Sequence, residues 1–207
     1  MDERVRLAGD LYERALFNGE ADALSTADWE LDAAEADLVL TRGKVLHGRF
    51  LESRVEDPRE LELFERALAL YNAVDDERGQ GEAFFWIGCF HQVVRSDTEP
   101  AVSALTLSRE LATKTGDDLT LSYALRHLGI AAHSAGNLDE ARAHLEESTA
   151  LRRTLGFTAG VAANLVGLIY LSEGDDARAL ADEAAELAAS VGAATISAQV
   201  EEARSRL

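Results

Sequence analysis

Three arginines and two aromatic residues are the side chains of this sequence best suited to binding chemistry. Arg42, Arg49 and Arg126 carry guanidinium groups, which can hold a carboxylate or a phosphate through two parallel hydrogen bonds. Phe85 and Tyr123 can supply apolar pockets. Together these residue types predict recognition of a ligand that has an anionic group and an apolar part.

Histidine and cysteine chemistry is less well supported by the spacing. His127 and His133 are six residues apart, which places them about 120° apart around a helix and makes joint metal binding unfavourable. Cys89 is the single cysteine, so it is interpreted as a small packing residue. We therefore expect neither a metal nor a cofactor.

Known catalytic motifs are missing from the sequence. It contains no glycine-rich phosphate loop ending in Lys-Ser or Lys-Thr, no His-Glu-x-x-His, no Gly-x-Ser-x-Gly and no Cys-x-x-Cys. The acidic pairs 117–118 and 175–176 fall at predicted helix starts, where carboxylates favour the helix dipole. The sequence thus favours a protein that is not an enzyme.

The charge balance bears on the partner and the compartment. Of the 207 residues, 38 are acidic and 20 are basic, and the net charge of −18 disfavours nucleic acid and anionic membranes as partners. One cysteine cannot form an internal disulfide, and the start of the chain does not have the pattern of a signal peptide. The longest apolar run, 161–171, is too short to cross a bilayer. We expect a cytoplasmic protein.

The elements that must position these residues are predicted to be helices. Two prolines, abundant alanine and leucine, and no alternating β-branched runs predict an all-α chain. One amphipathic helix is predicted over 2–17, and another begins near Trp29 after a Ser25-Thr26 cap, with Gly43 the expected break if 29–54 forms two helices. A terminal helix is predicted over 194–206.

An internal repeat organises the middle of the chain. Gly48, Gly88, Gly129 and Gly167 are spaced 40, 41 and 38 residues apart, and close approach of a partner helix explains a glycine inside a helix. Each is followed by matching positions: Phe64, Leu105, Leu145 and Ala181; then Ala67, Ser108, Ser148 and Ala184; then Leu70, Leu111, Leu151 and Leu187; then the helix stops Asp75, Gly116, Gly156 and Gly192. Four units of two helices each are predicted.

Segment 122–155 resembles a tetratricopeptide repeat. The positions that carry the likeness are Leu125, Leu128, Gly129, Ala132, Gly136, Ala141, Leu145 and Ser148. Segments 84–116 and 163–192 are similar, 44–75 less so, and the spacing of about 40 residues resembles the longer variant of bacterial regulators and scaffolds. The resemblance implies a single domain that is a right-handed α-solenoid: an N-terminal cap or divergent repeat over 1–37, four repeats over 38–192, and a capping helix over 193–207.

In that family a stripe of the first helix in each repeat lines a concave groove that holds the partner. The corresponding residues here are Arg42, Val45, Arg49 and Glu52; Glu82, Phe85, Cys89 and Gln92; Tyr123, Arg126, Ile130 and His133; and Val161, Asn164, Leu168 and Leu171. We expect the terminal helix to cover the apolar fourth set. An alternative is that the arginines of the groove simply pair with Glu52, Glu82 or other acids of the chain.

These observations predict a non-enzymatic scaffold or adaptor whose groove binds a protein or peptide segment. Two alternatives remain. One is a small-molecule site, sensory or catalytic, lined by Tyr123, Arg126, His127, His133 and Cys89. The other is a homodimer formed through the N-terminal segment.

Overall fold

The computed structural model describes residues 1–207 as ten α-helices with no β-strand. The helices are α1 (Glu3–Asn18), α2 (Ala23–Ser53), α3 (Arg59–Ala73), α4 (Glu77–Val93), α5 (Thr98–Thr115), α6 (Asp118–Ser134), α7 (Leu138–Thr154), α8 (Thr158–Ile169), α9 (Gly174–Ser190) and α10 (Ala194–Arg204). The predicted all-α class is confirmed. None of the ten helices combines the length and the hydropathy needed to span a membrane.

Backbone geometry at the helix ends follows the predicted stops. Asp75, Gly116, Gly156 and Gly192 all have positive φ, from 55° to 69°, just after α3, α5, α7 and α9. This left-handed conformation ends a helix, and glycine adopts it at little cost. Asp117 then caps α6, its carboxylate accepting a hydrogen bond from the Thr120 N–H at 3.1 Å.

The chain separates into two compact units, Met1–Leu111 and Ala112–Leu207. In the first unit α1 packs on α2, α2 on α3 and α3 on α4. Its core contains Leu40, Phe64 and Phe90, all at most 2% exposed. The unit is thus held together by helices that are neighbours in sequence.

Helix α2 differs from the expectation in its start and its register, and of the two possibilities left open for 29–54 it forms one continuous helix. It begins at Ala23, and the Ser25 and Thr26 hydroxyls donate to the Asp22 carbonyl within the helix. It then runs without a break through Gly43, where a Cβ atom would lie 2.4 Å from the Phe64 ring, whereas a Cβ on Gly48 would meet nothing within 4 Å. Gly43 is therefore the residue of close approach, and the predicted anchor Gly48 is wrong.

In the second unit each helix from α6 to α10 packs on the next, and α10 also packs on α8. Val200 of α10 is fully buried in the same core cluster as Leu165 and Leu168 of α8. Gly129 of α6 lies against Leu145 of α7, to which an added Cβ would approach within 3.1 Å. The apolar stripe of α8 is thus covered by the terminal helix.

Two of the three predicted ladders are buried throughout, and the third is displaced by one residue. The members of the ladders that begin at Phe64 and Ala67 are all at most 2% exposed. Of the third ladder only Leu70 is buried, whereas the residues one position later are all buried: Tyr71, Ala112, Arg152 and Ala188. The buried residues lie seven positions after the first ladder, which brings them to within about 20° of the same helix face. The predicted residues lie six positions after it, which leaves them about 120° away from that face.

Candidate functional site

A cavity of about 640 Å³ lies between α2 and α3 of the first unit. Its walls are formed by Leu38, Thr41, Arg42, Val45, Leu46 and Arg49 of α2 and by Arg59, Glu62 and Leu63 of α3. Arg42, Val45 and Arg49 are separated by three and four residues, so they share one face of α2. The structure therefore brings together three of the four residues predicted for the first groove set. We call this feature the α2–α3 cleft.

Two of the three arginines in the α2–α3 cleft form no hydrogen bond or ion pair within the chain, although the charge of Arg49 helps to lower the pKa of Asp57. Arg59 forms an ion pair with Asp57 at 2.6 Å, and its guanidinium lowers the pKa of that carboxyl to about 2. Arg42 and Arg49 make neither a hydrogen bond nor an ion pair. The one acidic wall residue is Glu62, so the α2–α3 cleft has an excess of positive charge in a strongly acidic chain.

Apolar side chains accompany these arginines at the surface. Leu38 and Val45 are 59% and 52% exposed, although both are aliphatic and lie within two turns of Arg42. Exposed aliphatic groups beside unpaired guanidinium groups are typical of a surface that binds a partner. The α2–α3 cleft thus combines guanidinium groups with apolar side chains, as the sequence predicts for a ligand-binding surface.

A second feature of the first unit is a buried chain of hydrogen bonds from α2, α3 and α4. Cys89 Sγ lies 3.6 Å from His47 Nε2, and His47 Nδ1 lies 2.8 Å from Glu60 Oε1. The order thiol, imidazole, carboxylate is that of a nucleophile activated by a base. However, all three side chains are buried, and burial raises the pKa of Cys89 to about 12. The thiol is therefore protonated and inaccessible. The hydrogen bonds of the cluster connect α2, α3 and α4.

The second unit contains a different buried cluster, centred on Asn164 of α8. Its Oδ1 atom accepts hydrogen bonds from Arg126 Nη1 at 3.1 Å and from Arg152 Nη1 at 2.9 Å. The Asn164 amide group donates to Ser148 Oγ at 2.8 Å, and Ser148 donates in turn to the Ser122 carbonyl at 2.6 Å. Two cations thus share one neutral oxygen. We call this set the arginine pair.

No carboxylate contacts the arginine pair. Arg126 has a second hydrogen bond, to the Ala163 carbonyl at 2.7 Å, and Arg152 has one to Gly160 at 2.9 Å. The guanidinium of Arg152 also lies over the rings of Tyr123 and Phe157, 4.9 Å and 5.3 Å from their centroids. Burial, and then the charge of Arg126, lower the pKa of Arg152 to about 10, and burial also lowers the pKa of Arg126. Both cations are therefore held without a compensating charge.

The predicted groove residues differ widely in accessibility. Arg42, Arg49, Glu52 and His133 are exposed; Glu82, Gln92, Tyr123 and Arg126 are partly buried; and Phe85, Cys89 and Asn164 are buried. The expectation that Phe85, Cys89 and Asn164 face a partner is therefore corrected, because these three are at most 3% exposed. Packing explains the difference: Phe85 lies edge-on against Trp86, with ring centroids 5.0 Å apart.

The alternative in which groove arginines pair with acids of the chain is not observed for Glu52 or Glu82, although the charge of Arg49 does help to lower the pKa of Asp57. Glu82 forms its ion pair with Lys44 instead. Arg126 bonds to amide and carbonyl oxygens, and it lines a cavity of about 290 Å³ together with His133. The structure thus places Arg126, His133 and Asn164 near one another.

Two important residues, Arg152 and Glu60, are absent from the prediction. A signal for Arg152 exists in the sequence, because it lies seven residues after Leu145 on the stripe that also contains Ser148. The equivalent buried residues of the other helices are Tyr71, Ala112 and Ala188, so an arginine at this position is the exception. Glu60 has no such signal, since its partner His47 is on another helix.

The whole chain has no group of three His, Cys, Asp or Glu side chains arranged to hold a metal ion. The sequence matches no known family model, and no curated protein is significantly similar to it. No relative therefore supplies a function, and the residues described above are the basis for one.

Proposed function

We propose that this protein is a non-enzymatic interaction module and that the α2–α3 cleft binds a segment of a protein partner. We further propose that its helix pairs are tetratricopeptide-like repeats of a right-handed solenoid. Support for the repeats comes from three glycines, Gly43, Gly88 and Gly129, each of which packs against a large first-ladder residue of the next helix. A repeated contact of this kind is what stacked helix pairs require.

The observation that carries the binding proposal is the pair of unpartnered arginines, Arg42 and Arg49. Acids outnumber bases by 38 to 20 in the chain, and most arginines of the first unit form ion pairs. Arg42 and Arg49 remain without one beside exposed Leu38 and Val45. A partner that supplied carboxylates and an apolar side chain would complement both features.

The spacing of the two arginines suggests the pattern of the partner. Seven residues of α-helix separate them, which corresponds to a rise of about 10 Å along α2. An extended peptide advances about 3.3 Å per residue, so acids three residues apart would match that distance. The expected ligand is therefore an extended segment with Asp or Glu at positions 1 and 4 and an aliphatic residue between them for Val45.

The cluster of Cys89, His47 and Glu60 is not arranged for nucleophilic catalysis in the first unit. The one thiol, Cys89, is buried and its pKa is raised to about 12. His47, the group that would have to activate it, is itself buried against Glu60. The Cys89 cluster therefore offers no competing catalytic function in the first unit.

A peptide titration tests the proposal. A fluorescent peptide with the pattern Glu-Leu-x-Glu, a version with Gln at both Glu positions and a scrambled version would be titrated by anisotropy against wild type, Arg42→Ala/Arg49→Ala and Arg66→Ala/Arg178→Ala. The control removes the same charge from two exposed arginines that already have acidic partners.

We expect wild type and the control to bind the Glu peptide and the cleft variant to lose at least tenfold in affinity. Affinity should also weaken as salt is added, because exposed charges are screened. Equal binding by all three proteins, or equal binding of the Gln peptide, would contradict the proposal.

A further inference from the structure

Helix α1 has an exposed apolar face beside the face that packs on α2. Ala8 and Leu11 belong to the core that α1 and α2 share, and they are at most 5% exposed. Three larger residues on the neighbouring side of α1 are 41% to 60% exposed: Val5, Tyr12 and Leu16. Together with Gly9 they are separated by four, three and four residues, so all four share one face of the helix. We call these four residues the α1 stripe.

The glycine in the middle of the α1 stripe has no packing role within the chain. Gly9 lies inside a helix of 16 residues, where glycine is less stable than alanine. A Cβ atom added to Gly9 would meet no other atom within 4 Å. By contrast, the helical glycines Gly43, Gly88 and Gly129 each lie against a large side chain of the next helix. The α1 stripe thus has the kind of gap that these contacts use, but no side chain of its own chain fills it.

The shape of the α1 stripe is complementary to a second copy of itself. In an antiparallel pair of α1 helices related by a twofold axis, Val5 can face Leu16 of the second copy. The equal spacing at the two ends of the stripe then places Tyr12 opposite Gly9 of the second copy. The tyrosine ring enters the gap at the glycine, and the aliphatic residues at the ends pack on each other. A parallel pair would instead place Gly9 opposite Gly9 and leave the gap unfilled.

The charges beside the α1 stripe are complementary in the same arrangement. Arg6 and Glu13 follow Val5 and Tyr12 by one residue, so both lie along the edge of the stripe that points away from α2. In the antiparallel pair this edge meets the same edge of the second copy, which brings Arg6 close to Glu13 of the second copy and the reverse. Glu13 forms no hydrogen bond or ion pair within the chain, and Arg6 has only exposed contacts with acids of its own helix, at 3.4 Å and 3.9 Å. Two symmetric ion pairs can therefore form.

We propose that this protein forms a homodimer through the α1 stripe, with the two α1 helices antiparallel about a twofold axis. Dimerisation removes Val5, Tyr12 and Leu16 from water, which the monomer does not achieve. A contact between two helices of 16 residues is small for a protein interface, so the fraction of dimer should depend strongly on protein concentration. The interface is independent of the α2–α3 cleft, because all of its residues belong to α1.

Disulfide cross-linking tests the antiparallel arrangement. Val5→Cys and Leu16→Cys, both at exposed positions that tolerate substitution, would be oxidised separately and as an equimolar mixture. We expect at least tenfold more cross-linked dimer in the mixture, because facing positions meet whereas identical positions are about 16 Å apart along the helices. A mixture of Val5→Cys with Arg14→Cys, on the opposite side of α1, is the control and should give no such gain. The native Cys89 is buried and does not compete. Equal yields in all samples would overturn the proposal.

Charge reversal, followed by sedimentation equilibrium, tests the ion pairs. Arg6→Glu and Glu13→Arg each place like charges together, and each should weaken dimerisation at least fivefold relative to wild type. The double variant Arg6→Glu/Glu13→Arg restores opposite charges and should return to within twofold of wild type. Arg14→Glu makes the same charge change on the far side of α1 and should have no more than a twofold effect. A wild-type protein that stays monomeric up to millimolar concentration overturns the proposal, as does a double variant that dimerises no better than the single variants.

Discussion

The two units of this protein use arginine in opposite ways. In the first unit, Arg42 and Arg49 are exposed on α2 and form no hydrogen bond or ion pair, while the buried histidine, His47, has the carboxylate of Glu60 at 2.8 Å. In the second unit Arg152 is buried, Arg126 is partly buried, and both donate hydrogen bonds to the same amide oxygen. One unit thus exposes its uncompensated charge and the other encloses it.

The difference matters because water solvates an exposed guanidinium at no cost to folding, whereas a buried one must obtain its stabilisation from the protein. In the first unit the two exposed arginines are therefore accessible to the partner segment proposed for the α2–α3 cleft. In the second unit the buried Arg152 is instead held by neutral oxygens and by the ring of Tyr123. The comparison predicts that substitution of the exposed arginines will change binding, whereas substitution within the buried arginine cluster will change stability.

The largest effect is expected at Asn164, which holds the arginine pair. In Asn164→Ala both guanidinium groups would lose a shared acceptor inside the protein, and the free energy of unfolding should fall by about 3 kcal/mol. Urea unfolding followed by circular dichroism would measure it. Asn72→Ala, at an exposed position of α3, should change stability by less than about 0.5 kcal/mol. Similar losses for the two variants would show that the arginine pair does not depend on Asn164.

Glycines on α2 provide the next largest contrast. Gly43→Ala would place a Cβ atom 2.4 Å from the Phe64 ring, which should lower the free energy of unfolding by about 1–3 kcal/mol. Gly48→Ala, five residues later on the same helix, meets open space and should raise it by about 0.5–1 kcal/mol, since alanine is the better helix former. Thermal or urea unfolding of both variants would decide the register. A stabilising Gly43→Ala would refute the close contact with α3.

The smallest predicted effect concerns Glu60 and pH. Burial raises the pKa of Glu60 above its ordinary value of 4.5, so the folded carboxyl keeps its proton at pH values where the unfolded chain has lost it. The free energy of unfolding should therefore fall as the pH rises above about 4.5, until the folded carboxyl also ionises.

In Glu60→Gln this part of the pH dependence disappears, which amounts to about 1.4 kcal/mol for each unit by which the pKa is raised. Unfolding curves of wild type and Glu60→Gln between pH 4 and 8 would show it. Parallel pH profiles for the two proteins would mean that the folded and unfolded carboxyls titrate alike.

The sequence was a good guide to local features of this fold. Helix stops at Asp75, Gly116, Gly156 and Gly192 could be predicted because they depend on the local backbone preference of one residue. The ladders that begin at Phe64 and Ala67 follow from helical periodicity, which a single segment reveals.

Features that depend on contacts between helices were harder to predict. The choice between Gly43 and Gly48 is decided by where Phe64 of another helix lies, and neither residue's own segment contains that information. The same holds for the groove: Arg42 and Arg49 lie where the pattern places them, but Phe85 and Asn164 are buried by neighbouring helices. Arg152 is not predicted as a buried residue because the third predicted ladder lies one residue before the positions that are buried.

Peptide titration and urea unfolding of Arg42→Ala/Arg49→Ala and Asn164→Ala would test the contrast between the two units most directly. We predict that the first variant loses at least tenfold in affinity for the Glu-Leu-x-Glu peptide at unchanged stability. Asn164→Ala should lose about 3 kcal/mol of stability and keep the affinity. A loss of stability without a loss of affinity in Arg42→Ala/Arg49→Ala would contradict the account.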